Sequence, residues 1–342
     1  MSSQKPALPR TLIRPPSLRV ENITKFYPVG KSLFGSSKSF VHAVENVSLE
    51  IAKGGSFGIV GESGCGKTTL AKMLVKLIEP TAGRISVDLG DGQFTDCTTL
   101  GHQDTKEFRR KVQMIFQDPY ESLNPRITIF DTIIEPLKVQ KIGNLSERKV
   151  KVTKIMAEVG LTPVNDLMFR YPHELSGGQR QRVAIARALI LDPIFLIADE
   201  PTSMLDVSVR TSIMKLMLDM RQRLNATFIY ITHDMAVARY MCESIAVMYL
   251  GKIVEMGSTE DILQNPKHPY TKALISAVPV PDPTYERWPV LIKSGVAKPI
   301  DPLDRCRFFD RCLEATEHCE NFSHPILENK AGGRAVACYE VS

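Results

Sequence analysis

Apolar residues along this chain fall into two rhythms. Residues 18–26 alternate well enough to predict a strand, and 47–51 read as another. A short apolar run, 56–60 (SFGIV), ends at a glycine-rich stretch. From 68 to 77 the spacing changes, with Leu70, Met73, Leu74 and Leu77 recurring as on one face of a helix. Residues 112–116 predict a strand ending at Gln117, and 129–159 read as mostly helical. A further helix opens at 176–178 and runs to about 191. Residues 195–198 and 227–232 (TFIYIT) are uninterrupted apolar runs, as expected of parallel strands covered on both faces. The second ends at His233. Two stretches read as irregular: the Gly/Ser/Lys-rich 30–39, and the polar 88–105, a loop or hairpin excursion. Strands alternating with helices predict an α/β fold with a mainly parallel sheet, and ligands bind such sheets at strand C-termini.

After about residue 256 the texture changes. Proline becomes frequent (Pro266, Pro269, Pro279, Pro281, Pro283, Pro289, Pro299, Pro302), and four of the seven cysteines fall between 306 and 338. This divides the chain into a flexible lead at 1–17, one large domain at 18–260 and a small irregular, cysteine-rich extension at 261–342. The composition is that of a globular protein, 43% hydrophobic and 24% charged. A net charge of +5, without a long Lys/Arg block, gives no nucleic-acid arm. No run of 18 apolar residues appears and the first residues lack the apolar core of a signal peptide. The expectation is a cytosolic protein with reduced thiols.

Three stretches carry complementary chemistry. Residues 61–68 (GESGCGKT) fit G-x4-G-K-[ST]: the glycines let backbone amides turn inward around phosphate oxygens, Lys67 reaches the β and γ phosphates, and Thr68 offers a hydroxyl to Mg²⁺. The strand before it and the helix after it make an accidental glycine-rich turn a poor alternative. Asp199 ends the apolar run 195–198, where a buried carboxylate favours a magnesium partner, and Glu200 can polarise an attacking water. The plainer reading of Glu200 is a surface carboxylate in the turn before Pro201. Residues 175–179 (LSGGQ) open a helix with Ser176, Gly177 and Gly178, which reads as an ordinary N-cap or as a second anion nest. Its position just before the acidic strand favours the nest. Gln117 and His233 each follow an apolar strand, either as satisfied polar residues or as groups reaching the metal, the water and the γ-phosphate. One nucleotide has no use for two such nests, so the working unit is expected to pair two of these domains.

In order and spacing these motifs resemble the nucleotide-binding subunit of an ABC transporter over roughly residues 18–260. The resemblance implies a P-loop NTPase core with a helical subdomain at about 118–180. It implies that Tyr27 stacks on adenine and that the loop residues Gly61, Ser63, Gly64, Cys65, Gly66, Lys67, Thr68 and Thr69 hold ATP. Gln117, Thr68 and Asp199 would serve Mg²⁺, with Glu200 as catalytic base and His233 as the switch histidine. Ser176, Gly177, Gly178 and Gln179 would cap the ATP of a partner domain dimerised head to tail. Met204 stands where the family commonly has a small residue, and the 30–39 loop lengthens the path from Tyr27 to Lys67.

Cys306, Cys312, Cys319 and Cys338 are spaced C-x5-C-x6-C-x18-C. That spacing is wider than a zinc knuckle and leaves an iron–sulfur cluster, zinc and unligated thiols open. The run His268-Pro269-Tyr270-Thr271-Lys272-Ala273-Leu274 and the cysteine pattern resemble the C-terminal extension of oligopeptide/dipeptide transporter ATPases, with Leu313 replacing a usual proline. That resemblance implies a [4Fe–4S] cluster, most simply as a structural staple. It also implies an ATPase coupled to transmembrane transport, powering import of di- or oligopeptides from the cytoplasmic face of the membrane. The partners implied are a second ATPase subunit of a different, D-type chain (this one being F-type), two permease subunits and an extracytoplasmic substrate-binding protein. Oligosaccharide or other small-solute import is the alternative cargo. A soluble ABC ATPase of DNA repair or translation fits less well, since only about a hundred residues separate the two glycine loops and there is one ATPase domain per chain. A redox- or iron-sensing module built on the cysteines is a further alternative.

Overall fold

The computed structural model describes residues 14–29, 39–277, 292–293, 300–330 and 334–341. The 1–13 part of the lead, most of the Gly/Ser/Lys loop, and Pro279, Pro281, Pro283, Pro289 and Pro299 lie outside the described residues. The chain divides into two units: Met1–Asp88 with Gln93–Thr98 and Ile231–Ser342, and Leu89–Gly92 with Thr99–Tyr230. The cysteine-rich extension falls in the first, with the glycine loop.

The first unit begins with two long antiparallel strands, β1 (Pro16–Val29) and β2 (Ser39–Ala52), both longer than their apolar patterns predict. Half-buried polar residues such as His42 and Glu45 break the alternation in β2. The register of β1 against β2 shifts repeatedly, for example between Val20 and Ile23. β3 (Ser56–Val60) is buried at every position and stops where the sequence predicts. It leads into α1 (Lys67–Leu74), which ends at a C-cap at Val75 rather than running to 77. β4 (Ala82–Asp88), which lies before the polar stretch and was not read from the sequence, pairs with β5 (Phe94–Asp96) inside that stretch, and both join β1 and β2 in an antiparallel sheet of order β2-β1-β4-β5.

The second unit is mostly helical. α2 (His102–Lys111) was not read from the sequence, and β6 (Val112–Ile115) follows it directly. After α3 (Pro119–Ser122), the helical stretch resolves into α4 (Ile129–Val139) and α5 (Leu145–Glu158). Ile129, Ile133, Ile134 and Leu137 make the buried stripe of α4, and a capping box of Asn144 and Glu147 starts α5. α6 (Val164–Leu167) precedes α7 (Gly177–Leu189), which is buried along VAIARAL save for Arg187. β7 (Phe195–Asp199) is buried throughout and runs parallel to β6, pairing Val112 with Phe195 and Ile115 with Ala198. α8 (Val207–Leu224) buries Ile213, Leu216, Met217 and Met220 at helical spacing. Within this unit the strand order is β8-β7-β6, where β8 (Thr227–Thr232) keeps the predicted bounds.

The chain re-enters the first unit within β8. α9 (Met235–Met241) leads to β9 (Ser244–Tyr249), buried throughout and parallel to β3. β10 (Lys252–Ser258) turns back antiparallel to β9. α10 (Thr259–Gln264), α11 (Pro269–Ser276), α12 (Glu317–Asn321), β11 (Glu328–Lys330) and β12 (Arg334–Val336) complete the described chain. The order in this unit is β11-β12-β10-β9-β3, so the extension adds two antiparallel strands at the edge of β10. Among the described residues no helix is long and apolar enough to cross a membrane.

Candidate active site

Gly61 to Thr69 leave β3 and enter α1, the strand–loop–helix path that a phosphate loop requires. Gly66 is the N-cap of α1 with φ 108, and no side chain caps this helix. A Cβ on Gly66 would run into the Ala43 carbonyl oxygen, so both the left-handed backbone and the close approach of β2 demand glycine here. The uncapped helix start leaves the first-turn amides, those of Lys67, Thr68 and Thr69 included, without helical acceptors, the arrangement that receives phosphate oxygens. Lys67 is 5% exposed, and its Nζ donates to the carbonyl oxygens of Gly61 and Glu62, each at 2.8 Å. Cys65 is buried beside it, and burial pushes its thiol up, so this residue contributes to the loop through its backbone. Ser63 is exposed, and Gly64 turns through φ 78. Tyr27 sits near the end of β1, partly exposed, with Lys25 Nζ 5.3 Å from its ring centre. His233 follows β8 on the surface, directly before Asp234, whose side chain caps α9.

The second unit brings the other predicted residues together in two places. Asp199 closes β7 at 2% exposure, and Glu200 follows with φ 44. A left-handed non-glycine residue straight after a buried strand is a costly conformation of the kind that clusters at functional sites. Gln117 Nε2 donates to Glu200 Oε2 at 3.0 Å, so the residue after β6 and the residue after β7 meet at a carboxylate. The Glu200 carbonyl accepts from the Ser203 amide at 3.2 Å and the Ser203 hydroxyl at 3.1 Å, closing a tight turn over Pro201.

At the start of α7 the structure shows the N-cap. Ser176 Oγ accepts from the Gln179 amide at 3.3 Å, while the Ser176 amide donates to Gln179 Oε1 at 3.0 Å, a complete capping box. The polar side chains of 176 and 179 are thus engaged in building the turn, and the glycines between them leave its surface bare of side chains. Gly178 has a packing reason as well, since a Cβ there would lie 2.7 Å from Val209 Cγ1 of α8. Arg180 stacks over Tyr120, its guanidinium carbon 4.1 Å from the ring centre.

The four cysteines of the extension line one cavity, with His268, Phe308, Phe309, Ala315 and Tyr339 among its walls. Burial, reinforced by the neighbouring thiols, pushes Cys306 up to about 12, and burial likewise pushes Cys312 up to about 11. These thiols ionise at neutral pH only against added positive charge. Among the described residues no group of three His, Cys, Asp or Glu side chains converges closely enough to hold a single metal ion.

The HPYT run has a structural task that its sequence does not advertise. Glu255 of β10, 0% exposed, accepts from the amides of Lys267 and His268, each at 3.0 Å, and lies 3.5 Å from Arg334. His268 Nδ1 then accepts from the Tyr270 amide at 3.0 Å as the cap of α11, and burial pulls the imidazole down to about 3, so it stays neutral. α11 thereby delivers the Tyr270 hydroxyl to the Glu62 amide of the phosphate loop, 2.9 Å away. Arg311, between Cys306 and Cys312, reaches the Glu62 carboxylate. Neither Arg311 nor Glu62 was singled out from the sequence, and Tyr270 stood there only as part of the HPYT run.

A phosphate loop with an uncapped helix behind a buried parallel strand, and a Gln–Glu pair behind another, define a P-loop nucleotide hydrolase. Residues 44–203 match the ABC transporter family model, and residues 254–319 match the C-terminal region of oligopeptide/dipeptide transporters. The chain is 43% identical over 322 residues to the "Probable peptide ABC transporter ATP-binding protein" of Sinorhizobium fredii, covering 94% of this chain and 89% of that protein. It is 42% identical to the dipeptide transport ATP-binding protein of Haemophilus influenzae, covering 95% and 97%. Among solved structures, a dimeric ATP-binding cassette in a post-hydrolysis state bound to ADP and Pi superposes with a TM-score of 0.62 at 30% identity, covering 71% of this chain and 98% of that one. The chain belongs to the ABC transporter family of ATP-binding proteins and carries the oligopeptide/dipeptide transporter type of C-terminal region.

Proposed function

We propose that this protein is the ATP-hydrolysing subunit of a peptide importer, acting at the cytoplasmic face of the membrane. The observation that carries the reading is the phosphate loop: an uncapped helix start with a buried lysine held by two loop carbonyls, followed in the same chain by the peptide-transporter C-terminal region. The names of the relatives point to peptides and dipeptides as cargo. In this reading the loop 61–69 takes ATP, with Tyr27 against the base and His233 at the γ-phosphate. Thr68, Asp199 and Gln117 serve Mg²⁺, and Glu200 polarises water, steadied by Gln117. The loop 176–179 caps the nucleotide of a second ATPase subunit, and the exposed Met204 and Val207 suit an apolar face meeting that partner. Domain 18–260 does this work with its helical part at about 118–180 facing the two permease subunits, and 261–342 is the extension. A substrate-binding protein outside the membrane delivers the peptide.

The cysteine cavity fits a [4Fe–4S] cluster in its donor set: four thiols on one apolar-walled space, needing positive charge to ionise. A cluster there would supply cross-links that a small irregular segment cannot make from its own core, whereas zinc, the other occupant the spacing left open, is not favoured, since among the described residues no three such side chains converge on one ion.

The test is reconstitution with the permease and partner ATPase subunits in liposomes. Peptide-stimulated hydrolysis is expected, and Glu200→Gln should lower turnover by at least about a hundredfold while leaving ATP bound. Wild-type turnover in that variant would remove Glu200 as base. Uptake of a labelled oligosaccharide in place of peptide would overturn the cargo.

A further inference from the structure

The cysteine-bearing turn reaches back into the phosphate loop. Between Cys306 and Cys312 the chain passes through a short 3-10 helix, Phe309–Arg311. Arg311 forks onto Glu62, with Nη1 to Oε2 at 2.9 Å and Nη2 to Oε1 at 3.1 Å. Its guanidinium carbon lies 5.7 Å from the ring centre of Tyr249 and 5.9 Å from that of Phe308. These rings and Tyr270 form one aromatic cluster, Phe308 meeting Tyr249 edge-on at 5.2 Å and Tyr270 at 5.5 Å. Glu62 is consequently held at four atoms. Its carboxylate takes Arg311, its amide donates to Tyr270, and its carbonyl takes Lys67. A second strut runs alongside: Arg307 pairs with Glu45 of β2 at 2.5 Å, the Glu45 amide donates to Gly251, and the Gly251 amide donates to Cys65 of the loop, both at 2.9 Å.

The ammonium of Lys67 has three N–H donors, and two are already given to the Gly61 and Glu62 carbonyls, so phosphate oxygens compete for it and weaken those two restraints. Arg311 and Tyr270 hold Glu62 through atoms that Lys67 does not use. A bidentate arginine on a carboxylate fixes orientation as well as distance. At 13% exposure against ring faces, the guanidinium has little freedom left to lose when it pairs.

We propose that Arg311 is a positioning residue for nucleotide binding: acting through Glu62, it preorganises the phosphate loop, so that the cysteine-bearing turn is a clamp on the ATP site. The proposal rests on the reading that loop 61–69 binds ATP. It adds that an element outside the ATPase motifs sets nucleotide affinity.

The test uses the full-length protein and equilibrium binding of a fluorescent ATP analogue, followed by ATPase measurements on the assembled transporter. Arg311→Ala should weaken nucleotide binding about fivefold to tenfold, the scale of one favourable bidentate ion pair at a partly exposed carboxylate. KM for ATP should rise by the same factor, with kcat at saturating ATP within about twofold. Arg311→Lys should recover part of the loss. Glu62→Gln should lose a similar factor, and the double variant no more than either single one. Wild-type affinity in folded Arg311→Ala, or losses that multiply in the double variant, would overturn the clamp. Should Arg311→Ala fail to fold, Glu62→Gln decides alone: weakened binding supports the clamp and unchanged binding ends it. A wild-type protein that binds no nucleotide would instead overturn the ATP reading beneath it.

Discussion

Gly178→Ala separates packing from chemistry at the start of α7. The added Cβ would lie 2.7 Å from Val209 Cγ1, whereas carbon atoms rest at about 3.5–4.0 Å. Valine is stiff about χ1, so its γ-carbon cannot simply swing aside. Overpacking of this size costs about 1–3 kcal/mol, against up to about 1 kcal/mol gained by removing glycine from a helix. The expected net destabilisation is about 0.5–2 kcal/mol, read as a lowered urea midpoint by circular dichroism. Val209→Ala removes the colliding carbon, so the double variant should be as stable as Val209→Ala alone or more so. The Ser176–Gln179 box is untouched by either change and keeps the turn's backbone in place. Because that Cβ is directed at Val209, ATPase activity of the assembled complex in the double variant should match that of Val209→Ala within about twofold once stability is restored. A Gly178→Ala protein as stable as wild type, or a loss that Val209→Ala does not relieve, would refute the contact. A stable double variant whose activity stays more than about tenfold low would refute the view that Gly178 is required here for its packing on α8.

The anchoring of α11 and the pH response of the extension give two further tests. Glu255→Ala strands two amides and leaves Arg334 without its buried carboxylate, and should cost about 3–5 kcal/mol in denaturant unfolding; Glu255→Gln, which keeps an acceptor, should cost less, and a loss under about 1 kcal/mol for alanine would contradict the buried geometry. Burial alone would raise Glu45, but the His42 hydrogen bond, Lys252 and Arg307 outweigh it and bring the carboxyl from 4.5 down to about 2. A depressed carboxyl pKa stabilises the fold above its unfolded value and loses that contribution as pH falls through the folded one, here between about 4.5 and 2. After discount for its partial exposure this amounts to about 1–2 kcal/mol. Glu45→Gln should therefore flatten the acid limb of a stability–pH curve below pH 5, and an unchanged limb would show that Glu45 is not so held.

The central strands were legible because burial on both faces writes an unbroken apolar run. β3 and β8 keep their predicted bounds for that reason. The same run marked where chemistry would sit, since Gly61, Asp199 and His233 each lie at the end of such a strand. β4 was not legible: only Ile85 and Val87 bury deeply on one face, too short an alternation to stand out beside the polar hairpin that follows. α2 hid in the same stretch because its sequence, HQDTKEFRRK, offers only Phe108 to a core. β9 and β10 went unnamed although SIAVMY is buried throughout, because the turn at Leu250 and Gly251 between them is tight and the run continues almost without punctuation.

The least legible feature is the union of the extension with the phosphate loop, and the reason is physical. Four cysteines lining one cavity stand out in the sequence, because they lie near one another along the chain and leave a visible spacing. An ion pair between Glu62 and Arg311 spans 249 positions and leaves no period in either neighbourhood. The extension has little with which to stand alone: beyond the eight-residue α11 its described residues form two three-residue strands, a five-residue helix and one 3-10 turn. Such a segment cannot bury enough apolar surface to offset its own ordering entropy. It must borrow order, and it does so from β10 through β12, from Glu45 through Arg307 and from Glu62 through Arg311. Restraint of this kind is mutual. A group that fixes the four-thiol cavity fixes the turn between Cys306 and Cys312, and that turn carries the arginine holding the second residue of the phosphate loop.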